Sequence, residues 1–242
     1  MKYAVFTDID ETLFFDGKMN SKNVDAIKRA RANGHLVFIN TGRSTGIIQD
    51  ELMHGLFDGM VASIGGEVYV GNETLLKLTI PTDELIRFTE EFVSENRVFV
   101  MEATSDSKIR AVRNTDENPT ALLCDKESYF TKPYIEGQPT EKQLEYIGKR
   151  YQLFVHPNYF EFTTKGCTKA TGMDVVLKHL GIPRENCIAI GDSINDVEML
   201  KASGIPVCVS NAVSALREIS VYETCHAKDG ALYDCFEHFG LI

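Results

Sequence analysis

The feature that most constrains this 242-residue chain is an alternation of predicted strands and helices that stops near Pro81 and resumes after Gly166. Each predicted strand is a short apolar run, and each predicted helix has apolar residues at helical spacing. The predicted strands are 2–8, 35–40, 61–64, 187–192, 205–209 and a short one near 221–225, with a predicted hairpin of 67–70 and 74–80. The predicted helices are 21–33, 45–53, 168–180, 195–202, 213–219 and 230–239. This order is typical of a parallel α/β sheet.

The segment between the two halves has a different pattern, in which predicted strands come in pairs. Its elements are helices at 82–96 and 140–150 and strands at 97–103, 108–113, 152–155 and 159–164. Such pairs predict a small antiparallel α+β module. We therefore predict an α/β fold with a Rossmann-like doubly wound parallel sheet core, residues 1–80 and 166–242, and an inserted α+β domain, residues 81–165.

Three predicted strands of the core end in a polar residue, namely Asp8, Thr41 and Asp192. Two more acids, Asp10 and Asp196, lie in the turns that follow. In open α/β sheets, ligands bind at the carboxyl ends of the strands, near helix N-termini. Carboxylates from separate strand ends suit Mg²⁺, which takes one or two of them together with a substrate phosphate. A single acid is more often a turn former or helix cap, so the hypothesis depends on the joint arrangement.

A phosphate-binding site among these acids needs a cation, because the chain has a formal charge of -10. Two like charges about 4 Å apart repel by about 4 kcal/mol at an effective dielectric constant of about 20. Lys169, in the first turn of the predicted helix at 168–180, is the candidate for offsetting this repulsion.

The composition excludes two classes of partner. No basic run predicts a nucleic-acid surface, and no apolar run approaches the roughly 20 residues needed to span a bilayer. We therefore expect neither a nucleic-acid nor a membrane partner. The six cysteines form no CxxC pair, which indicates reduced thiols and a cytoplasmic location. The sequence leaves the oligomeric state open.

Four segments resemble the motifs of the haloacid dehalogenase (HAD) superfamily. They are Asp8-Ile9-Asp10-Glu11-Thr12, Thr41-Gly42-Arg43, Lys169 and Gly191-Asp192-Ser193-Ile194-Asn195-Asp196. The insertion at 81–165 is similar in position and element order to the cap of the Cof-type sugar-phosphatase branch. The resemblance implies a Mg²⁺-dependent phosphatase that hydrolyses small phosphorylated metabolites, with sugar phosphates as the expected class.

The resemblance also implies a role for each motif residue. Asp8 is the nucleophile that forms an aspartyl-phosphate, and Asp10 is the general acid and base. The implied phosphate-binding residues are Thr41, Gly42, Lys169 and Asn195. The implied metal-binding residues are Asp8, Asp10 through its backbone carbonyl, and Asp192, with Asp196 supporting the metal indirectly.

The inserted domain is expected to select the substrate, because the core binds only the phosphate that all candidate substrates share. Three arginines are candidate specificity residues: Arg43 at the edge of the second motif, and Arg110 and Arg113 on a predicted strand of the insertion. Arginines on such a strand more often line a solvated face.

Two residues depart from the pattern of the Cof-type branch. Glu11 stands where that branch usually has glycine, and we expect it to point outward or to pair locally. Ile64 stands in Ser63-Ile64-Gly65, where the branch usually carries Ser-Asn-Gly. Any substrate contact made by that asparagine is therefore not carried over to this chain.

Two other functions stay open. A phosphotransferase or mutase would use the same aspartyl-phosphate but pass the phosphoryl group to a sugar hydroxyl, and Asp10 would serve either reaction. A non-catalytic receiver-like module also combines an acidic Mg²⁺ pocket with a threonine and a lysine at strand ends. A receiver, however, lacks an inserted domain and a second acid two residues after its phosphoacceptor.

Overall fold

The computed structural model describes residues 2–48, 55–92, 98–103, 108–113, 117–118, 120, 123 and 130–242, with the backbone alone at 98–103 and 108–113. The chain separates into two compact units. The first unit comprises Met1–Gly42, Gln49–Leu76 and Thr168–Ile242, and the second comprises Arg43–Ile48 and Lys77–Cys167. The second unit is thus inserted into the first along the chain.

The described residues form strands, helices and short 3₁₀ turns. The strands are β1 (Ala4–Thr7), β2 (Phe14–Phe15), β3 (Lys18–Met19), β4 (Leu36–Asn40), β5 (Gly59–Ala62), β6 (Glu67–Val70), β7 (Glu73–Lys77), β8 (Val98–Ala103), β9 (Lys108–Arg113), β10 (Phe130–Glu136), β11 (Tyr151–Val155), β12 (Tyr159–Thr164), β13 (Cys187–Gly191), β14 (Ile205–Val209) and β15 (Tyr222–Thr224). The helices are α1 (Ser21–Ala32), α2 (Thr82–Phe92), α3 (Glu141–Arg150), α4 (Lys169–Leu180), α5 (Val197–Ala202), α6 (Ser214–Arg217) and α7 (Ala227–His238), and the 3₁₀ turns are Thr45–Ile47, Ser63–Gly65, Arg184–Asn186 and Ile194–Asp196. None of the helices in the described ranges is long and apolar enough to cross a membrane.

The first unit is built on an eight-stranded sheet in the order β15-β14-β13-β1-β4-β5-β6-β7. The six strands from β15 to β5 are parallel, and β6 pairs with β5 in the antiparallel sense. Helix α1 packs against α7, and α4 packs against α5. The predicted α/β fold with a Rossmann-like parallel sheet is confirmed.

The central strand β1 brings the polar strand ends together. All of its residues, Ala4 to Thr7, are fully buried, as expected for a strand covered on both faces. Thr7 lies opposite Ile39 of β4 on one side and Ile190 of β13 on the other. Because these strands are parallel, the residues that follow them emerge side by side at one edge of the sheet.

The second unit contains a five-stranded antiparallel sheet in the order β11-β12-β10-β8-β9. Phenylalanines from α2 and β12 form much of its core. The ring centroids of Phe88 and Phe92 are 4.8 Å apart, and those of Phe88 and Phe162 are 5.3 Å apart. Such tilted and edge-on ring pairs add to the stabilisation from buried apolar area. The predicted α+β character of the insertion is confirmed.

Local structure differs from the prediction in a few places. A hairpin formed by β2 and β3 was not predicted, although the pair Asp16-Gly17 is a hairpin signal, and both residues have positive φ (50° and 70°). Of the helix predicted at 45–53, the structure has a 3₁₀ turn at Thr45–Ile47, and residues 49–53 lie outside the described part. The last helix begins at Ala227 rather than at Gly230, which forms a kink with φ 104°.

The turn Ser63–Gly65 has an unusual backbone. Ser63, Ile64 and Gly65 have φ values of 52°, 55° and 92°. A left-handed conformation is rare for a β-branched residue such as Ile64 and costs about 1–3 kcal/mol. Gly65 is required for a second reason, because a Cβ at this position would collide with the backbone carbonyl of Thr168. The turn is therefore both strained and tightly packed against the start of α4.

The packing of Gly65 can be separated from its backbone conformation by comparison with Gly17. Both have positive φ, but a Cβ on Gly17 would meet nothing within 4 Å. We expect Gly17→Ala to lower the free energy of unfolding by about 1 kcal/mol and Gly65→Ala by about 3 kcal/mol or more, because the backbone of Thr168 must also move. Urea unfolding of both variants measures the difference. Equal losses would contradict the tight packing described here.

Candidate active site

A buried lysine lies between two aspartates at the carboxyl edge of the parallel sheet. Lys169, the first residue of α4, places its Nζ 2.9 Å from Asp8 Oδ1 and 2.7 Å from Asp196 Oδ1. The Lys169 side chain is fully buried, and Asp8 is 5% exposed. Because a buried charge needs partners to offset its lost hydration, these groups stabilise one another in their charged forms. Lys169 thus lies beside the acids whose repulsion it was predicted to offset.

Local interactions fix the position of Lys169. Thr168 and Thr171 form a reciprocal cap at the start of α4, with each backbone N–H donating to the other residue's side-chain oxygen at 2.9 and 3.1 Å. Asn40, the last residue of β4, donates from Nδ2 to the backbone carbonyl of Lys169 at 2.9 Å. The helix start is thereby tied to the strand that leads to Thr41.

Burial, modified by neighbouring charges, shifts the pKa values in this cluster. Burial raises the pKa of Asp8 to about 7, and Lys169 opposes that shift while Asp196 adds to it. Burial, followed by repulsion from Asp196, raises the pKa of Asp192 to about 6. Burial alone would lower the pKa of Lys169, but attraction to Asp196 and Asp8 outweighs it and holds this pKa above its usual range. The attraction of Lys169 therefore does not fully offset the effect of burial on Asp8.

The donor set fits a hard divalent cation. Asp8, Asp192 and Asp196 each offer one carboxylate oxygen within 4.8 Å of the others. Both oxygens of Asp196 have partners already: Oδ1 contacts Lys169, and Oδ2 accepts from the backbone N–H groups of Asp192 and Ser193 at 3.1 Å. Asp196 therefore shapes the loop, and Asp8 and Asp192 are the better candidates for holding Mg²⁺, which favours carboxylate oxygens.

Asp10 and Asn195 occupy exposed positions near this edge. Asp10 is exposed, lies in the turn closed by hydrogen bonds from Leu13 and Phe14 N–H to the Ile9 carbonyl, and is not part of the carboxylate cluster. The Asn195 side chain accepts a hydrogen bond from Ser193 Oγ at 2.7 Å. An exposed acid two residues after Asp8 is in a position to exchange protons with solvent or a bound ligand.

Thr41 and Gly42 continue the chain from the end of β4. Thr41 is fully buried, and its backbone N–H donates to the Val61 carbonyl at 2.8 Å. Its carbonyl accepts from Ile64 N–H at 3.2 Å. Gly42 is close to Asn195, since a Cβ on Gly42 would lie 4.0 Å from Asn195 Nδ2. Within the first unit, the residues with implied phosphate-binding roles thus converge on one edge.

The three arginines proposed for substrate selection belong to the second unit. Arg43 is half-buried in the bend after Gly42. Arg110 and Arg113 lie on β9, opposite Met101 and Val98 of β8. The side chains of Arg110 and Arg113 lie outside the described part of the structure, so their role stays a prediction.

Two residues that the sequence analysis did not single out organise the loop after β1. Thr12 Oγ1 donates to Asp192 Oδ1 at 2.8 Å, which links the first and last motifs directly. Asn211 Nδ2 donates to the Glu11 carbonyl at 2.8 Å, and its Oδ1 accepts from Ala227 N–H at 3.0 Å. Asn211 follows β14 at the same sheet edge, which is the signal that could have identified it.

The backbone at Glu11 explains why glycine is usual at this position in the Cof-type branch. Glu11 has φ 58°, a left-handed conformation that glycine adopts without steric cost. Its side chain is exposed, which confirms the expectation that it points outward. The same reasoning applies to Ile64, since the asparagine usual at that position in the branch tolerates a left-handed backbone better than isoleucine does.

Comparison with known proteins agrees with this geometry. A family model described as haloacid dehalogenase-like hydrolase matches residues 5–236. The chain is 27% identical to a 5-amino-6-(5-phospho-D-ribitylamino)uracil phosphatase of Bacillus subtilis over an alignment 269 positions long, gaps included, which covers 99% of this chain and 98% of that protein.

Two solved structures extend the comparison. One, a HAD subclass IIB sugar phosphatase, has a TM-score of 0.79 and 25% identity, covering 99% of this chain and 100% of that one. The other, a hypothetical protein from Geobacillus kaustophilus, has a TM-score of 0.86 and 21% identity over the whole of both chains, a likeness of fold alone. Since the family match includes the insertion, it favours a hydrolase over a receiver-like module. The chain therefore belongs to the haloacid dehalogenase-like hydrolases, as its four motifs predicted.

Proposed function

We propose that this protein is a Mg²⁺-dependent phosphatase that hydrolyses small phosphorylated metabolites through an aspartyl-phosphate on Asp8. The observation that carries the proposal is the buried Asp8 carboxylate, 2.9 Å from Lys169 Nζ and within a cluster of three carboxylates. A carboxylate can attack an anionic phosphate only where cations offset the repulsion between them. Lys169 supplies one such cation.

Two displacements at phosphorus account for the reaction. A carboxylate oxygen of Asp8 bonds to phosphorus while the bond from phosphorus to the ester oxygen breaks, and Asp10 gives a proton to the departing alcohol. Asp10 then takes a proton from water, whose oxygen bonds to phosphorus as the bond to Asp8 breaks. Inorganic phosphate leaves, and both aspartates return to their starting states.

Other residues of the first unit bind the phosphoryl group. In this proposal Lys169 and Thr41 contact its oxygens, with Gly42 and Asn195 beside them, and Lys169 lowers the energy of the charge that develops during each displacement. Mg²⁺, when bound by Asp8, the Asp10 carbonyl and Asp192, would neutralise further negative charge. Asp196 keeps Lys169 and the Asp192 loop in place.

The proposed substrate class rests on the relatives. Those named above include phosphatases of a ribityl phosphate and of sugar phosphates, which are small polyhydroxylated monoesters. We propose the same class here, with the inserted domain, residues 81–165, and Arg43 selecting among its members. A phosphotransferase would share the aspartyl-phosphate, so release of inorganic phosphate with no added acceptor is the measurement that separates the two activities.

Replacing the nucleophile should abolish turnover. We expect Asp8→Asn to lower the rate of inorganic phosphate release from a panel of sugar phosphates by about 10⁴-fold or more, because the amide does not attack phosphorus. Asp25→Asn removes an exposed carboxylate on α1 and serves as the matched control, with activity expected to be unchanged. Substantial activity in a folded Asp8→Asn protein would remove Asp8 from this role.

Replacing the proton donor should slow both displacements. We expect Asp10→Asn to reduce turnover of a sugar phosphate by about 10²–10⁴-fold. With p-nitrophenyl phosphate, whose leaving group needs no proton, attack by Asp8 should continue while water attack stalls. Intact-mass analysis should then detect a phosphorylated protein. Asp16→Asn, at the exposed hairpin turn, is the control, and a normal rate in Asp10→Asn would discard Asp10 as the acid and base.

Mg²⁺ should stabilise the protein more at high pH than at low pH. The pKa values of Asp8 and Asp192, about 7 and about 6, lie above the value near 4 of an unfolded aspartate. The folded protein therefore binds more protons between about pH 4 and pH 7, so the stability of the metal-free protein falls as pH rises through that window. Mg²⁺ binds the ionised carboxylates, so its stabilising effect should grow over the same window.

Thermal unfolding near pH 5 and near pH 8, with EDTA or with added Mg²⁺, measures this dependence. Asp192→Asn should reduce the Mg²⁺ effect, and Asp25→Asn should leave it intact. An equal or smaller Mg²⁺ effect near pH 8 would contradict the assigned metal site.

A further inference from the structure

Glu67 is a fully buried carboxylate that none of the roles above uses. It lies at the start of β6 in the first unit and is 0% exposed. Ser63 Oγ donates to Glu67 Oε1 at 2.7 Å, and the Tyr69 hydroxyl donates to Oε2 at 2.9 Å. A buried carboxylate is costly, and an apolar side chain of similar size would avoid that cost. Its presence therefore calls for an explanation beyond simple core packing.

Glu67 holds the start of the left-handed turn Ser63–Gly65. The bond from Ser63 Oγ to Glu67 links this strained turn to β6, and Gly66 N–H closes the turn by donating to the Ser63 carbonyl at 3.1 Å. Three consecutive residues of the turn have positive φ, which is energetically costly. The turn is therefore stable only where surrounding contacts compensate for that cost.

The same turn contacts both elements that carry the proposed phosphate ligands. On one side, Ile64 N–H donates to the Thr41 carbonyl at 3.2 Å. On the other side, Gly65 packs against the backbone of Thr168, the residue before Lys169, so closely that no Cβ would fit. A shift of the turn would therefore move Thr41 and the start of α4 relative to each other.

We propose that Glu67 is a positioning residue that sets the separation of Thr41 and Lys169, and through it the affinity for the phosphoryl group. The inference rests on the proposed function, in which these two residues bind phosphate. Asp8 and Asp192 follow β1 and β13, which do not carry the turn, and Asp8 is linked to it only through Lys169 in the described contacts, so we expect Glu67 to act on phosphate affinity more strongly than on Mg²⁺ affinity. Small errors in the position of a preorganised anion site are expected to weaken binding strongly.

The test compares phosphate and Mg²⁺ affinity in variants of Glu67. Inhibition of p-nitrophenyl phosphate hydrolysis by inorganic phosphate gives the inhibition constant for phosphate. Titration of the activity with Mg²⁺ gives the apparent dissociation constant for Mg²⁺, called the metal constant below. We expect Glu67→Ala to raise the inhibition constant about tenfold, with the metal constant changed by less than about twofold. Glu67→Gln should keep the phosphate inhibition constant within about threefold of the wild-type value. An amide can accept a hydrogen bond from one of the two hydroxyls, Ser63 or Tyr69, and donate to the other.

Asp234 provides a matched control in the same unit. Its carboxylate accepts from the Tyr222 hydroxyl at 2.9 Å and from Cys225 N–H, and Tyr222 lies on β15 at the opposite end of the sheet order from β6 and β7. Asp234→Ala should lower the unfolding temperature and leave the phosphate inhibition constant unchanged. An unchanged constant in Glu67→Ala, or an equal rise in both alanine variants, would overturn the proposal.

Two further comparisons keep the outcome decisive. If Glu67→Ala does not fold, Tyr69→Phe replaces it and Tyr222→Phe becomes its control, and equal inhibition constants in these two variants overturn the inference. If the wild-type protein releases no phosphate from any substrate, the proposed function fails instead. The two failures are therefore distinguishable.

Discussion

The structure of the site depends on the burial of Lys169 between Asp8 and Asp196. A fully buried ammonium group without partners would lose most of its hydration energy, and the two aspartates without it would repel each other. The pairing therefore holds together the end of β1, the start of α4 and the loop after β13. Removing Lys169 would leave two buried carboxylates without a cation, and removing either aspartate would leave Lys169 with a single partner, so the three groups are expected to respond to mutation together.

Around this pairing, hydrogen bonds between side chains and backbone groups place the functional residues. Asp196 accepts from the N–H groups of its own loop, Asn40 binds the Lys169 carbonyl, and Asn211 binds the Glu11 carbonyl. Side-chain amides suit this task because they satisfy buried backbone groups without adding net charge. The negative charge is thus concentrated where a phosphate ester and a divalent cation would bind together.

The sequence predicted the part of the site that follows from strand periodicity. Asp8, Thr41 and Asp192 stand at the ends of largely apolar runs, so a parallel sheet brings them to one edge. The sequence did not predict Thr12, Asn211 or Glu67 as contributors, because their roles depend on left-handed backbone segments and on pairings between distant segments. No local pattern encodes either property, and the hydrogen bond from Thr12 to Asp192 spans 180 positions.

The place of β1 in the sheet has a consequence for how the chain acquires its structure. On one side β1 pairs with β4, which follows it closely, but on the other side Ala4 pairs with Cys187. During synthesis, the edge of β1 that pairs with β13 stays unpaired until most of the chain, including the whole inserted unit, has been made. An unpaired edge of a largely apolar strand favours association with other chains. We therefore expect the docking of β13 to be a step at which folding competes with aggregation.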